Sequence, residues 1–209
     1  MALLGLEHPI VLGPFGGMSS VSLTAAVSEA GGLGSYGLYG YSATRITETA
    51  AQLHAATARP FALNLWVPIG DEAEPGGVDL GPALELVAPL YAELGLDLPT
   101  AAPERFLPDF DEQFEAVLEA RPAFLSFVFG IPDAAALAAA RARGIRIIGT
   151  ATTVAEARLL AAAGVDAIAA SGLEAGGHRI SFLRPAEESL VGTFSLTIAR
   201  IASARSHVT

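Results

Sequence analysis

The stretch Gly149–Arg179, GTATTVAEARLLAAAGVDAIAASGLEAGGHR, decides the fold. It opens in an apolar run, Arg146–Ala151, which reads as a strand. Val154–Ala163 follows as an Ala-rich helix that Gly164 ends. Ala167–Ser171 is again short and apolar, and reads as a second strand. Strand, helix, strand in so few residues is a parallel βα crossover, right-handed as such units are. Beyond the second strand comes a glycine-rich loop, SGLEAGGH, Ser171–His178.

The same rhythm runs upstream. Pro9–Pro14 reads as a first strand and Val21–Ala30 as a first helix. Ser20 is placed as its N-cap, and Gly31-Gly32 stops it. Leu33–Leu38 reads as a strand, Ala43–Thr57 as a helix opened by Ser42, and Pro60–Val67 as a strand. Pro68–Phe110 breaks the pattern. It is rich in Pro, Gly and acidic residues, with one helical piece near Pro82–Leu94, and reads as an excursion on one rim. The rhythm resumes with a helix at Asp111–Ala120, a strand at Ala123–Phe129 and a helix at Asp133–Arg143, which Gly144 ends. Downstream, Glu187–Ser203 reads as a sixth helix.

Most of these strands are continuous apolar runs, as expected of parallel strands covered on both faces. An open doubly wound sheet and a closed barrel both fit that pattern. The first loop, Gly13–Ser20 (GPFGGMSS), is not GxGxxG, and no acidic residue ends the second strand where a ribose would be held. A TIM (β/α)8-type barrel is therefore expected, incomplete, with about six βα units against the eight of a full barrel. Residues 1–209 are read as a single domain.

Composition narrows the chemistry. The chain has 209 residues, is 52% hydrophobic and 16% charged, and carries a formal net charge of -10. That suits a large buried core and opposes nucleic-acid binding, which needs a basic face. The 12 basic side chains are all Arg. Without Lys there is no Schiff-base chemistry and no phosphate loop of the Gly-Lys-Ser/Thr kind. With no Cys, thiol nucleophiles and thiolate metal sites are excluded. No metal-spaced His/Asp/Glu cluster and no GxSxG elbow occurs. No signal peptide and no membrane-length apolar run is read, so a cytoplasmic protein is expected.

In a barrel, function gathers after the C-terminal ends of the strands. Three places there attract interest. Gly13–Ser20 could bring backbone N–H groups close to a ligand, or be an ordinary turn. Asn64 is a polar amide within an apolar strand. It must find partners, either a planar ligand edge or neighbouring backbone. His178 follows two glycines in the last loop. Its imidazole can exchange protons near neutrality, whereas His8, His54 and His207 have sufficient structural readings.

These residues together resemble the nitronate monooxygenase family. HPIVLGPFGGMSS (from His8) resembles its opening strand and flavin loop. AVSEAGGLGSYG (from Ala26), RPFALNLWVP (from Arg59) and LSFVFGIP (from Leu125) resemble its next three motifs in order. Gly149–Arg179 resembles the run into the catalytic loop. The likeness extends from Met1 to about Leu196. It implies FMN, an alkyl nitronate or nitroalkane substrate and O2, giving a carbonyl compound and nitrite. His178 would then be the catalytic residue, and Pro14, Phe15, Asn64, Ser171, Gly176 and Gly177 the cofactor contacts. Phe15 stands where many members have Met, and Ser171 where many have Gln. After SLVGTFSL the resemblance fades, so C-terminal βα units are expected to be missing. A non-catalytic truncated fragment, or a related FMN-dependent enoyl or quinone reductase, is the alternative. The resemblance names no oligomer.

Overall fold

The computed structural model describes residues 4–70, 72, 75, 79–99, 103 and 105–197. It divides into two compact units. One is Met1–Ile69 with Asp109–Thr209, and the other is Gly70–Pro108.

The larger unit alternates helix and strand: α1 (Val21–Glu29), β1 (Gly34–Gly37), α2 (Ala43–Ala56), β2 (Phe61–Trp66), α4 (Phe110–Ala120), β3 (Phe124–Val128), α5 (Ala134–Ala142), β4 (Arg146–Ala151), α6 (Val154–Ala162) and β5 (Ala167–Ala170). The smaller unit contains α3 (Gly81–Glu93). The five strands are parallel and lie in chain order, β1-β2-β3-β4-β5. A doubly wound sheet reverses its order at a switch point. This sheet does not reverse, so its right-handed crossovers all stay on one side. That is barrel-type winding, as the sequence led us to expect.

Side-chain alternation separates the two faces. Leu63, Leu65, Leu125, Phe127 and Ile147 point outward into the helices and are at most 1% exposed. Each such burial stabilises the fold by about 1.5–3 kcal/mol. Leu33, Ala62 and Phe124 point inward and pack with Leu6 and Ile148. Burial thins toward one edge. β2 and β3 are covered on both faces, whereas in β4 the inward residues Arg146, Ile148 and Thr150 are only half-buried. In β5 the inward Ala169 is exposed.

Two expectations need correction. Pro9–Pro14 is no full strand. It makes one parallel bridge, Val11 with Leu33, through Leu12 N to Leu33 O (2.9 Å) and Leu33 N to Ile10 O (2.9 Å). Proline at both ends lacks the N–H that a longer ladder needs. The sixth helix, Glu187–Ser203, is broken. A 3-10 turn occupies Ala186–Glu188, and a separate helical stretch covers 193–197. Gly192 lies between them, and the carboxylate of Glu174 accepts from Thr193 N (2.9 Å) and starts the second piece. The remainder of that expected helix lies outside the described residues.

Candidate active site

The C-terminal ends of the strands carry the residues that attracted interest. The Phe15 loop folds over the end of β1. Ser19 Oγ accepts from Gly37 N at 3.0 Å and donates to Phe15 O at 2.8 Å. A side chain at Gly37 would press on the Phe15 carbonyl, 3.0 Å away, so glycine permits this close approach. Gly37 is in register with Asn64 on β2. Pro14, Phe15, Gly37 and Asn64 are thereby gathered at one corner of the rim.

Asn64 is 2% exposed. Its Nδ2 donates to Ser126 O (3.2 Å) and Ser126 Oγ (2.9 Å) on β3. Backbone and a neighbouring hydroxyl therefore satisfy the donors. Among the described residues nothing donates to its Oδ1.

Two residues further along the same face of β2, Trp66 leads to the histidine. The rings of Trp66 and His178 meet edge-on, with centroids 5.0 Å apart. Phe129, just past β3, meets His178 edge-on at 6.3 Å and tilts against Trp66 at 4.8 Å. Tyr39, just past β1, tilts against Trp66 at 4.1 Å. Trp66 and Phe129 thus flank the imidazole, with Tyr39 packed on Trp66, while His178 as a whole is exposed. Edge-to-face contact is the favoured geometry for such rings. Phe129 sits at φ 64, a left-handed backbone that a bulky residue seldom adopts. This wall was not foreseen. Its members look like ordinary core residues in sequence, and only the register of the strands brings them together.

His178 is presented by a loop with little side-chain bulk. Gly177 takes φ 82, which favours glycine, and a Cβ at Gly176 or Gly177 would meet nothing within 4 Å. Ser171, Gly177 and His178 line a cavity of roughly 480 Å3 with Leu173, Arg179 and Leu190. Pro14, Phe15, Asn64 and Gly176 do not line it.

A buried carboxylate and a half-buried guanidinium hold the ends of this loop. Glu156 is fully buried. Its Oε2 accepts from Thr152 N (2.7 Å), Thr152 Oγ1 (2.7 Å) and Thr153 N (3.1 Å). Its Oε1 accepts from Phe182 N (2.8 Å) and Leu183 N (3.2 Å). Burial alone would raise its pKa, but the hydrogen bonds from Thr152, Phe182 and Leu183 outweigh that and hold the carboxyl below its ordinary value. Arg179 donates to Ser171 O (2.7 Å), to Thr152 O (3.2 Å) and to Ser189 O.

A barrel-type βα sheet with a Gly-Gly-His loop on its C-terminal rim places this chain in the TIM-barrel class, whose members gather their functional residues on that rim. Residues 1–207 match the family model described as nitronate monooxygenase, and the chain belongs to that family. A nitronate monooxygenase of Pseudomonas aeruginosa is 38% identical over 205 residues, covering 97% of this chain and 57% of the relative. One from Paraburkholderia phytofirmans is 37% identical, covering 94% and 54%. The solved nitroalkane oxidase from Streptomyces ansochromogenes superposes with a TM-score of 0.75 at 32% identity, covering 96% of this chain and 56% of that one. FabK from Thermotoga maritima, at 24% identity and a TM-score of 0.67, shares the fold. The chain spans a little over half the length of these relatives. Among the described residues no helix is long and apolar enough to cross a membrane.

Proposed function

We propose that this chain carries the proton-handling half of an FMN-dependent nitronate monooxygenase site, with His178 as its catalytic residue. The observation that carries the reading is the exposed imidazole at the rim, met edge-on by Trp66 and Phe129. An apolar aromatic wall beside an open backbone at Gly176 and Gly177 suits a flat heteroaromatic ring, and the unclaimed Oδ1 of Asn64 suits a ring N–H. Pro14, Phe15, Asn64, Ser171, Gly176 and Gly177 would hold the cofactor. When bound, FMN supplies the electron chemistry, with O2 as the oxidant.

His178 then has one of two tasks. It removes the proton from the carbon bearing the nitro group of a neutral nitroalkane, or it orients an anionic nitronate by donating a hydrogen bond. The aromatic wall keeps water from one flank of the imidazole. The products expected are a carbonyl compound and nitrite. A cytoplasmic setting forms part of this reading.

Nitrite release from a nitroalkane, assayed with added FMN and O2, tests the proposal. His178→Ala should lower turnover of the neutral nitroalkane roughly 10²–10⁴-fold. A variant as active as the parent would remove His178 from the mechanism. Activity on a preformed nitronate should fall less, because the proton has already left.

The exposed inward residues Val11 (54%) and Ala169 favour a second reading, in which this chain alone is a non-catalytic piece. Stoichiometric FMN in the purified 209-residue chain would reject it. The relatives' names favour the oxygenase over a nicotinamide-dependent enoyl or quinone reductase, and rapid NADH oxidation would reverse that preference.

A further inference from the structure

We infer that Glu156 and Arg179 form a brace that sets the position of the His178 imidazole, making both of them positioning residues for the site. The inference deepens the functional reading above, since it concerns the same histidine, but its geometry stands without it.

The imidazole is not held by its own bonds. Among the described residues its ring makes no hydrogen bond, only the edge contacts to Trp66 and Phe129. The two glycines before it carry no side chain to anchor the loop, and the space where a Cβ would stand is empty at both. What fixes it is the next residue. Arg179 spreads its guanidinium over the carbonyls of Ser171 at the loop entry, Thr152 at the end of β4, and Ser189 beyond the loop. A planar fork with several fixed donors is suited to this, and a lysine ammonium is not.

Glu156 completes the arrangement. Its Oε2 takes the Thr152 N–H and hydroxyl, so Thr152 is held on one side by Glu156 and on the other by Arg179. Its Oε1 takes the N–H groups of Phe182 and Leu183, the chain just after the histidine. Entry, middle and exit of the loop are all tied to the β4–α6 junction. A helix cap needs only one of the two carboxylate oxygens, and here Oε2 serves it. The second oxygen serves the loop. A buried carboxylate with five donors accepts only, so Gln, with its own N–H2 group, must set a donor against donors.

Trp66 makes a direct test possible, because it is the only tryptophan in the chain and His178 lies against it. A protonated imidazole quenches a neighbouring indole more than a neutral one does. Emission of the 209-residue chain, without added flavin, is followed across about pH 5 to 8, where imidazoles titrate. The other charged groups near the histidine are Arg179 and Glu187, which line the same cavity, and Glu174 in the same loop. The parent should show a step in emission, and His178→Ala should abolish it. Glu156→Gln and Arg179→Lys should each lose the step while far-UV circular dichroism is retained, because the ring leaves Trp66.

If both variants keep the full step, the brace does not position the histidine and the inference falls. Should Glu156→Gln fail to fold, Arg179→Lys decides alone, since it keeps the charge and the bulk. If the parent itself lacks the step, the contact with Trp66 is absent and the inference falls as well. A parent with the step but no nitrite release keeps the brace and overturns the functional reading instead.

Discussion

Asn64 shows how one side chain can serve fold and ligand at once. Its amide donors are used on Ser126, and its Oδ1 is left for something else. Ser126 Oγ in turn donates to Leu63 O at 3.4 Å, so the pair links β2 and β3 inside the sheet. Asn64→Ala deprives buried Ser126 of a donor and should lower the unfolding free energy by about 1–3 kcal/mol. Urea denaturation measures this, and an unchanged midpoint would mean the bond contributes nothing. Ser126→Ala removes the other partner but leaves Asn64 its bond to the Ser126 carbonyl, so the loss should be smaller, about 1 kcal/mol. The polarity of Asn64 was visible in sequence. Its partner was not, because Ser126 lies 62 residues away and only the strand register brings the two face to face.

The individual elements were largely legible because their signals are local. Ser20 and Ser42 cap α1 and α2 by accepting from Leu23 N and Arg45 N, and Gly31, Gly144 and Gly164 leave the helices at φ 85, 77 and 76. The spacing Thr153-x-x-Glu156 signals a capping box, and one is present. Nothing local says that the same carboxylate also reaches Phe182. That reach has a pH signature. The folded state holds the Glu156 carboxyl below its ordinary value. Its contribution to stability is therefore complete above about pH 4.3, the usual glutamate value. It is lost as pH falls from there through the lower folded-state value. The urea midpoint should drop steeply in that acid window, and Glu156→Gln should flatten the drop; an equally steep drop in the variant would count against the assignment. Element packing gives a second expectation. Gly34 lies under α1, where a Cβ would overlap the Thr24 carbonyl and come within 2.6 Å of Ser28 Oγ. Since backbone blocks the space, Gly34→Ala should cost about 1–3 kcal/mol or more, seen as a lower Tm. A Tm equal to the parent's would mean that α1 can lift away freely.

At the scale of the larger unit, the sheet has two edges among its described residues, the 10–12 segment and β5. Near these edges inward residues are open to solvent: Val11 is 54% exposed and Ala169 is exposed as well, and the neighbouring Ile10 is 59% exposed. Edge backbone groups and exposed apolar side chains both favour association with another chain. The net charge of -10 opposes it by repulsion between copies. Salt decides between the two, because screening shortens the reach of that repulsion to about 8 Å at physiological ionic strength and about 3 Å at 1 M while leaving apolar contact intact. Light scattering should therefore show the purified chain associating more as salt and concentration rise. Val11→Lys puts a charge on the exposed inward edge without touching the helix-covered core. It should return the chain toward the monomer with little change in Tm. A parent chain that stays monomeric at high salt, or a Val11→Lys variant that associates as strongly as the parent, would place any self-association elsewhere than on this edge.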